Sequence, residues 1–431
     1  MKDHFRRTLA ATVATAAVAG GLLAAPLGAA AQEDWQGVDD GTALTMWTRA
    51  ATEERATSLV EAYNASHQNQ IELRVVPTDE YVAVIGNAAV ANQLPDIVSA
   101  DVVFMPNWTS AGLFTDLTDR IEALPYIDNV GPAHIDASTW DGVKYGLPFV
   151  IDLSVWMYNK ALFREAGLDP EAPPTTLKEF ADAARAIQAL GKEGVYGTFF
   201  GGACGGCNVF TWWPIVWAEG DQVMNADGTE ALLDSDTTKE IYSTFNALWD
   251  EGVIHPDSQQ ETGPTWTGYF PQGIIGIMPM PASLSAAVSD QLADEDVGVT
   301  PIAGIAGGQS TFAGGDSIGI SKNSQHVGQA WNFLSWLLDD EAQVEVVAKD
   351  GGVVARTDLA NNQYAAADPR LVTFNEAAGV GVTPLAQNFF AAFNDPQSPW
   401  IQLFRAAVFD DADDATIDQL NDGITAVLQG G

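Results

Sequence analysis

The chain has 431 residues, with 57 acidic against 19 basic side chains and a formal net charge of −38. A surface this negative repels nucleic acid and anionic lipid and disfavours multiply anionic ligands. It reads as a solvated acidic face tuned for solubility, or alternatively as a site for a cation such as a polyamine.

Lys2, Arg6 and Arg7 form a short basic start, and residues 8–27 are rich in Ala, Val and Leu without a charge. Ala29, Ala30 and Ala31 supply the small residues that a signal peptidase reads, so a signal peptide over residues 1–31 is expected, with Gln32 as the mature start. Gly20, Gly21, Pro26 and Gly28 interrupt the run and argue against a membrane anchor. Arg6-Arg7 is a weak hint of a twin-arginine route, because Phe5 stands where a polar residue is usual. No Cys lies near the cleavage site, so the mature protein is expected to be periplasmic or secreted and not a lipoprotein. Roughly 400 residues remain, enough for two or three domains with ample core.

Residues 43–48 read as a strand with Leu44 and Met46 on one face. Thr52 can cap a helix whose first turn carries Glu53 and Glu54, and Ala56, Leu59, Val60 and Tyr63 then recur at helical spacing. Ile71, Leu73 and Val75 alternate with Glu72 and Arg74 as a second strand, and residues 95–99 form a short third one after a helix-like stretch from Tyr81. This alternation predicts a parallel sheet with helices on both faces. Thr176-Leu177-Lys178-Glu179 is a capping box opening a helix with Phe180, Ala184 and Ile187 on one face. Ile241, Phe245, Leu248 and Trp249 mark another helix. The Gly-rich runs at 304–308 and 314–315 are expected to be crossings between lobes. Val327, Ala330, Trp331, Leu334 and Leu338 make an amphipathic helix after them.

These landmarks, in this order, resemble the family of extracellular solute-binding proteins that includes maltose-binding protein, over nearly all of the mature chain. The most specific block is Tyr145-Gly146-Leu147-Pro148, then residues 157–163 (MYNKALF), 165–170 (EAGLDP) and 173–176 (PPTT). Leu94-Pro95-Asp96-Ile97, Phe270-Pro271-Gln272-Gly273, residues 314–321 (GGDSIGIS), 330–334 (AWNFL) and 338–342 (LDDEA) fit in register. The resemblance implies an α/β fold of the type II periplasmic-binding-protein kind, with two lobes, a hinge and a ligand cleft between them. The N-terminal lobe is expected over 32–149 with a return segment 313–340, and the C-terminal lobe over 150–312 with 341–431. The implied function is to capture a sugar or oligosaccharide for the permease of an ABC-type importer, as a monomer without a cofactor. A polyol, a polyamine or a glycerol phosphate diester is the alternative ligand.

A sugar offers flat C–H faces and a rim of hydroxyls, which aromatic platforms and polar side chains satisfy. Asn208-Val209-Phe210-Thr211-Trp212-Trp213-Pro214 resembles the aromatic loop lining the sugar cleft of relatives, and one of Trp212 and Trp213 is expected to stack on the ligand. Trp47 follows the first strand, and Trp400 falls near the family's C-terminal cleft aromatic. Asp152 matches the acidic residue of a crossing strand, Asp101 a frequent ligand carboxylate, and Asp316 follows the Gly pair into the cleft. Arg49, Glu53 and Arg356 are weaker candidates. Met280-Pro281-Ala282-Ser283 lacks the stacking Trp common in relatives, and Trp266 is the expected substitute. Trp331 and Trp336 are assigned to core, and Trp140, Trp156, Trp217 and Trp249 to core or packing.

Cys204 and Cys207 are the only cysteines. Outside the cytosol a structural disulfide is expected, stiffening the aromatic loop that follows. Zinc needs about four ligands, and His4, His67, His134, His255 and His326 form no spaced pair, so no metal is expected.

Two enzyme readings compete. Gly315-Asp316-Ser317-Ile318-Gly319 fits a hydrolase nucleophile elbow, which needs a strand before the serine and a helix after it. Here the serine reads as strand, and the helix starts only near Gln325. Asp101 and Asp152 could instead be a glycosidase acid and base, but no further signature supports them.

Overall fold

The computed structural model describes residues 35–430 except 286, 287, 289–291 and 379, so the expected signal peptide and its cleavage point lie outside the described residues. The first strands and helices follow the hydrophobic periodicity: β1 (Ala43–Arg49), α1 (Glu53–Ser66), β2 (Gln70–Val76), α2 (Thr78–Ala91) and β3 (Ile97–Asp101). β1 lies between β2 and β3, parallel to both. Their carboxyl ends therefore come together, at Arg49 and Asp101. Thr52 does precede α1 but does not cap it. A turn of 3₁₀ helix over Ala50–Thr52 buries its hydroxyl, which bonds Thr48 Oγ1 at 2.8 Å and the Arg49 carbonyl at 3.1 Å.

After the short helix α3 (Pro132–Ala137) comes β4 (Gly146–Asn159), 14 residues long. α4 (Leu177–Gln188) opens at Thr176, whose Oγ1 accepts from Glu179 N at 3.1 Å. The Glu179 carboxylate reaches back to Thr175 N and Oγ1, one residue before the reciprocal partner of a standard capping box. Two more helices follow, α5 (Gly205–Ala218) and α6 (Asp236–Asp250). The strands β5 (Ile277–Pro281), β6 (Val297–Ala303) and β7 (Gln309–Ile320) and the helices α7 (Val327–Trp336), α8 (Pro399–Phe409) and α9 (Asp414–Leu428) complete the main elements.

β4 and β7 each serve two halves of the sheet. Residues 146–153 of β4 pair antiparallel with 313–319 of β7, which pairs on its other edge with β3. Farther along, residues 154–159 of β4 leave β7 and take β5 and β6 as neighbours. The crossing region is thus Val150–Asp152 opposite Gly314–Asp316. Gly315 has φ +96°, and a Cβ there would collide with the carbonyl oxygen of Val150, so only glycine fits this bend. Residues 304–308 are not a crossing: they turn β6 back into β7, with Gly304 N bonded to Gly308 O at 2.9 Å.

One core gathers Leu44, Met46, Leu59, Tyr63, Ile97, Leu147 and Ile318 around Trp331, Phe333 and Leu334 of α7. The same core takes in Ala342, Val347 and Ala355. A second core joins Trp156, Phe180, Trp212, Trp213, Tyr242, Phe245, Trp400 and Phe404. Trp331 and Trp336 are core, as expected, whereas Trp140 is 38% exposed. Ser317 is fully buried in the middle of β7 and not on a strand-to-helix turn, so the nucleophile-elbow pattern has no structural counterpart.

Candidate functional site

The carboxyl ends of β1 and β3 meet the crossing part of β7, and their side chains form one ionic cluster. Asp101 and Asp316 face each other in strand register. Arg49 Nη1 lies 3.0 Å from Asp101 Oδ2, and its Nη2 and Nε lie 2.5 and 2.7 Å from Asp316 Oδ1. Asp316 is fully buried and accepts a second bond from Ser99 Oγ at 3.0 Å, which in turn meets Thr48 Oγ1 at 2.8 Å. Asp101 keeps 20% of its side chain exposed and accepts from Val103 N at 3.2 Å.

These contacts set the charge state. Burial pulls the Arg49 guanidinium down, but Asp101 and Asp316 outweigh it and leave it firmly protonated. Burial pushes the Asp101 carboxyl up, against the pull of Arg49. His134 of α3 is buried beside this cluster with its Nε2 unpartnered, and burial holds its imidazole at about 4.

One strand over, Asp152 pairs with Gly314 in register. Its carboxylate accepts from Ser283 N at 3.1 Å, Ser283 Oγ at 3.0 Å and Leu153 N at 3.0 Å, while burial raises its pKa. A Cβ on Gly314 would stand 2.9 Å from Cε2 of Phe210, so the half-buried ring of Phe210 lies on bare backbone. That ring occupies the side of the sheet from which Asp152 projects, because paired residues of neighbouring strands share a face. Sequence reasoning missed Ser99, His134 and Ser283. Ser99 could have been found, since it precedes Asp101 by two and must share its face. Ser283 sits in the very segment that departs from the family pattern, and its bond to Asp152 spans 131 residues.

The remaining candidates are placed elsewhere. Residues 208–214 are not a loop but the middle of α5, because the disulfide turn and Cys204 start a helix that carries them inward. Trp212 stacks on Tyr242 with centroids 4.8 Å apart and 13° between planes, and Trp213 meets Phe393 edge-on at 4.8 Å. Trp400 is fully buried between them and donates to the Gly205 carbonyl at 3.2 Å. These three rings leave no face free for a ligand. Asn208 is buried too, with Nδ2 tied to Gly201 O at 3.0 Å. Trp47 is half-buried on the flank of β1, with the Arg74 guanidinium 4.4 Å above its ring. Glu53 is exposed in the first turn of α1, where its charge suits the helix dipole. Arg356 is buried and clamps the return segment through Leu338 O, Asp340 and Asp358, over the Tyr126 ring. Trp266 remains half-buried in a short turn, packed against the buried cluster to which Phe270 and Met278 belong.

Cys204 and Cys207 are bonded as a disulfide at the start of α5, one helical turn before Phe210. The Trp266 turn begins close by: a Cβ on Gly263 would stand 3.1 Å from Cys204 Sγ, and Trp266 N donates to Gly263 O at 3.4 Å. The cross-link therefore stands between the elements that carry Phe210 and Trp266. At the outer edge, a recess of about 170 Å³ is lined by Val103, Phe104, Asn107 and Trp108 on one side and Gln387 and Phe390 on the other. Among the described residues, no group of three or more His, Cys, Asp or Glu is arranged to hold a metal ion.

The family model described as bacterial extracellular solute-binding protein matches residues 50–344. A putative binding protein of Brucella abortus (strain 2308) is 28% identical over 242 residues, 56% of this chain; the chain spans only 57% of the length of that relative. The diacetylchitobiose binding protein of Streptomyces coelicolor is 22% identical over 368 residues, 83% of each chain. The crystal structure of the cyclic alpha-maltosyl-1,6-maltose binding protein from Arthrobacter globiformis is similar with a TM-score of 0.77 at 24% identity, covering 91% of this chain and 100% of that one. With a family match over more than half its length and this two-lobed type II fold, the chain belongs to the bacterial extracellular solute-binding proteins.

Proposed function

We propose that this protein captures a sugar or oligosaccharide between its two lobes outside the cytoplasm and hands it to the membrane permease of an ABC-type importer. The observation that carries the reading is the half-exposed Phe210 ring laid on Gly314 beside the Asp152 carboxylate. An apolar platform next to a strong acceptor suits a pyranose, which stacks one C–H face and donates hydroxyl hydrogens at its rim. Asp101, at the rim of the ionic cluster, offers a second acceptor. The relatives whose names mention diacetylchitobiose and a cyclic maltosyl sugar support the same ligand class.

The lobes we assign are residues 32–149 with the return segment, and 150–312 with the C-terminal part. The protein acts as a monomer and needs no cofactor, because binding and release require only lobe motion about β4 and β7. A thermal-shift screen over sugars, polyols and polyamines tests the reading. A saccharide at 100-fold its Kd stabilises the protein by about 2.7 kcal/mol. Stabilisation by polyamines alone, with affinity falling steeply in salt, sinks the sugar assignment in favour of a cation held by the three carboxylates.

A further inference from the structure

We infer that Asp101 and Asp316 form an anion-exclusion device: by occupying all three nitrogens of Arg49, they make the cleft refuse phosphorylated solutes, and Asp101 is the specificity-determining residue. The inference deepens the solute-binding reading of this cleft, but holds for a neutral or a cationic ligand alike.

Arginine recognises phosphate through two parallel N–H bonds from its planar fork. At Arg49 each of the three nitrogens already carries a carboxylate contact, so three of the five N–H donors are taken. Nε and Nη2 converge on one oxygen of Asp316 at 2.7 and 2.5 Å, and Nη1 reaches Asp101 Oδ2 at 3.0 Å. A phosphoester would find one N–H left on each of Nη1 and Nη2, both flanked by carboxylates that already hold those nitrogens. It would also bring its own negative charge beside Asp101, Asp316 and Asp152, three carboxylates against one guanidinium. The neighbouring groups give no relief. His134, the buried imidazole nearest Asp316, stays neutral at ordinary pH, and Arg74 covers the Trp47 ring. The remaining hydrogen-bonding neighbours, Ser99, Thr48 and Tyr81, are uncharged and already bonded to one another or to the backbone.

The two aspartates differ in what they hold. Asp316 is fully buried, takes two nitrogens and ties in Ser99, so it anchors Arg49 to the sheet. Asp101 is the exposed member and takes a single nitrogen. Replacing Asp101 by Asn leaves Arg49 held by Asp316 and removes one negative charge from beside Nη1, so an incoming anion meets less repulsion and a weaker competitor for that nitrogen.

The test uses the full mature chain and two probes, sn-glycerol 3-phosphate and glucose 6-phosphate, by calorimetry and thermal shift at low and moderate salt. The wild type is expected to bind neither at millimolar concentration. Asp101→Asn is expected to gain at least tenfold affinity for the phosphoesters, with the gain shrinking as salt rises. Asp101→Ser serves as a second variant should the Asn protein fail to fold by circular dichroism. Arg49→Gln in the Asp101→Asn background is expected to abolish the gain. Micromolar binding of either probe by the wild type overturns the inference, as does a folded Asp101 variant with no gain. A wild type that ignores saccharides as well as phosphoesters sinks the sugar reading and leaves anion exclusion standing.

Discussion

Phe210 and Gly314 touch so closely that a single methyl group on the glycine would stand 2.9 Å from Cε2 of the ring. Gly314 belongs to the crossing part of β7 and Phe210 to α5, so this contact fixes an aromatic face on the crossing strand. Replacing Phe210 by Ala removes about 100 Å² of apolar contact with a bound sugar, roughly 2.5 kcal/mol, or about a 70-fold loss of affinity. Gly314→Ala displaces the ring and is expected to weaken binding in the same direction. Calorimetry with the saccharide identified by screening checks both, and unchanged affinity in the Phe210 variant removes the ring from the site.

Trp212 and Trp213 give the opposite expectation. Each is packed in the second core, so Trp212→Ala and Trp213→Ala should cost about 3–5 kcal/mol of folding stability. Urea unfolding of the ligand-free protein measures this. Variants that unfold like the wild type and yet lose the ligand would return these rings to the cleft.

His134 gives the fold a pH dependence. Its folded-state value of about 4 lies below the ordinary 6.5, because burial disfavours the charged ring. The unfolded chain takes up this proton as pH falls through 6.5, whereas the folded protein resists until about 4. Stability present above 6.5 is therefore lost across that interval, by roughly 3 kcal/mol. Asp101 and Asp152 act the other way: their raised values make the folded state bind protons more readily, so their share of stability grows as pH drops. The difference between wild-type and His134→Gln unfolding curves isolates the histidine. Parallel curves from pH 7 to pH 4 would show that it does not titrate with folding.

Closure of the proposed lobes on a ligand predicts a measurable change of shape. Phe104 and Phe390 stand 6.0 Å apart across the outer recess, and Asn107 Nδ2 donates to the Gln387 carbonyl at 3.2 Å. Ligand is expected to shift the population toward a more compact state and lower the radius of gyration in small-angle scattering. An unchanged radius at saturating ligand argues for a rigid site.

Much of the architecture is legible in the chain itself. Leu44 with Met46, and Ala56 with Leu59, Val60 and Tyr63, repeat at the strand and helix periods, and the structure buries those faces. The same periodicity assigns Trp331 and Trp336 to core. Trp212 and Trp213 read as part of a ligand-facing loop, because a helix that is apolar all round shows no helical period; only Tyr242, Phe404 and Trp400, distant in sequence, decide that these rings point inward. Arg356 looks like a ligand-binding cation until Asp340, Asp358 and Tyr126 enclose it.

By itself, then, the sequence determines the alternation of strands and helices, the family, the residues available to bind and the pairing of Cys204 with Cys207, because these follow from local periodicity, ordered motifs and there being two thiols. Only the tertiary structure decides which of those residues meet. Arg49, Asp101 and Asp316 lie up to 267 residues apart. They become one cluster because β7 returns antiparallel between β3 and β4, and no local rule along the chain encodes that register.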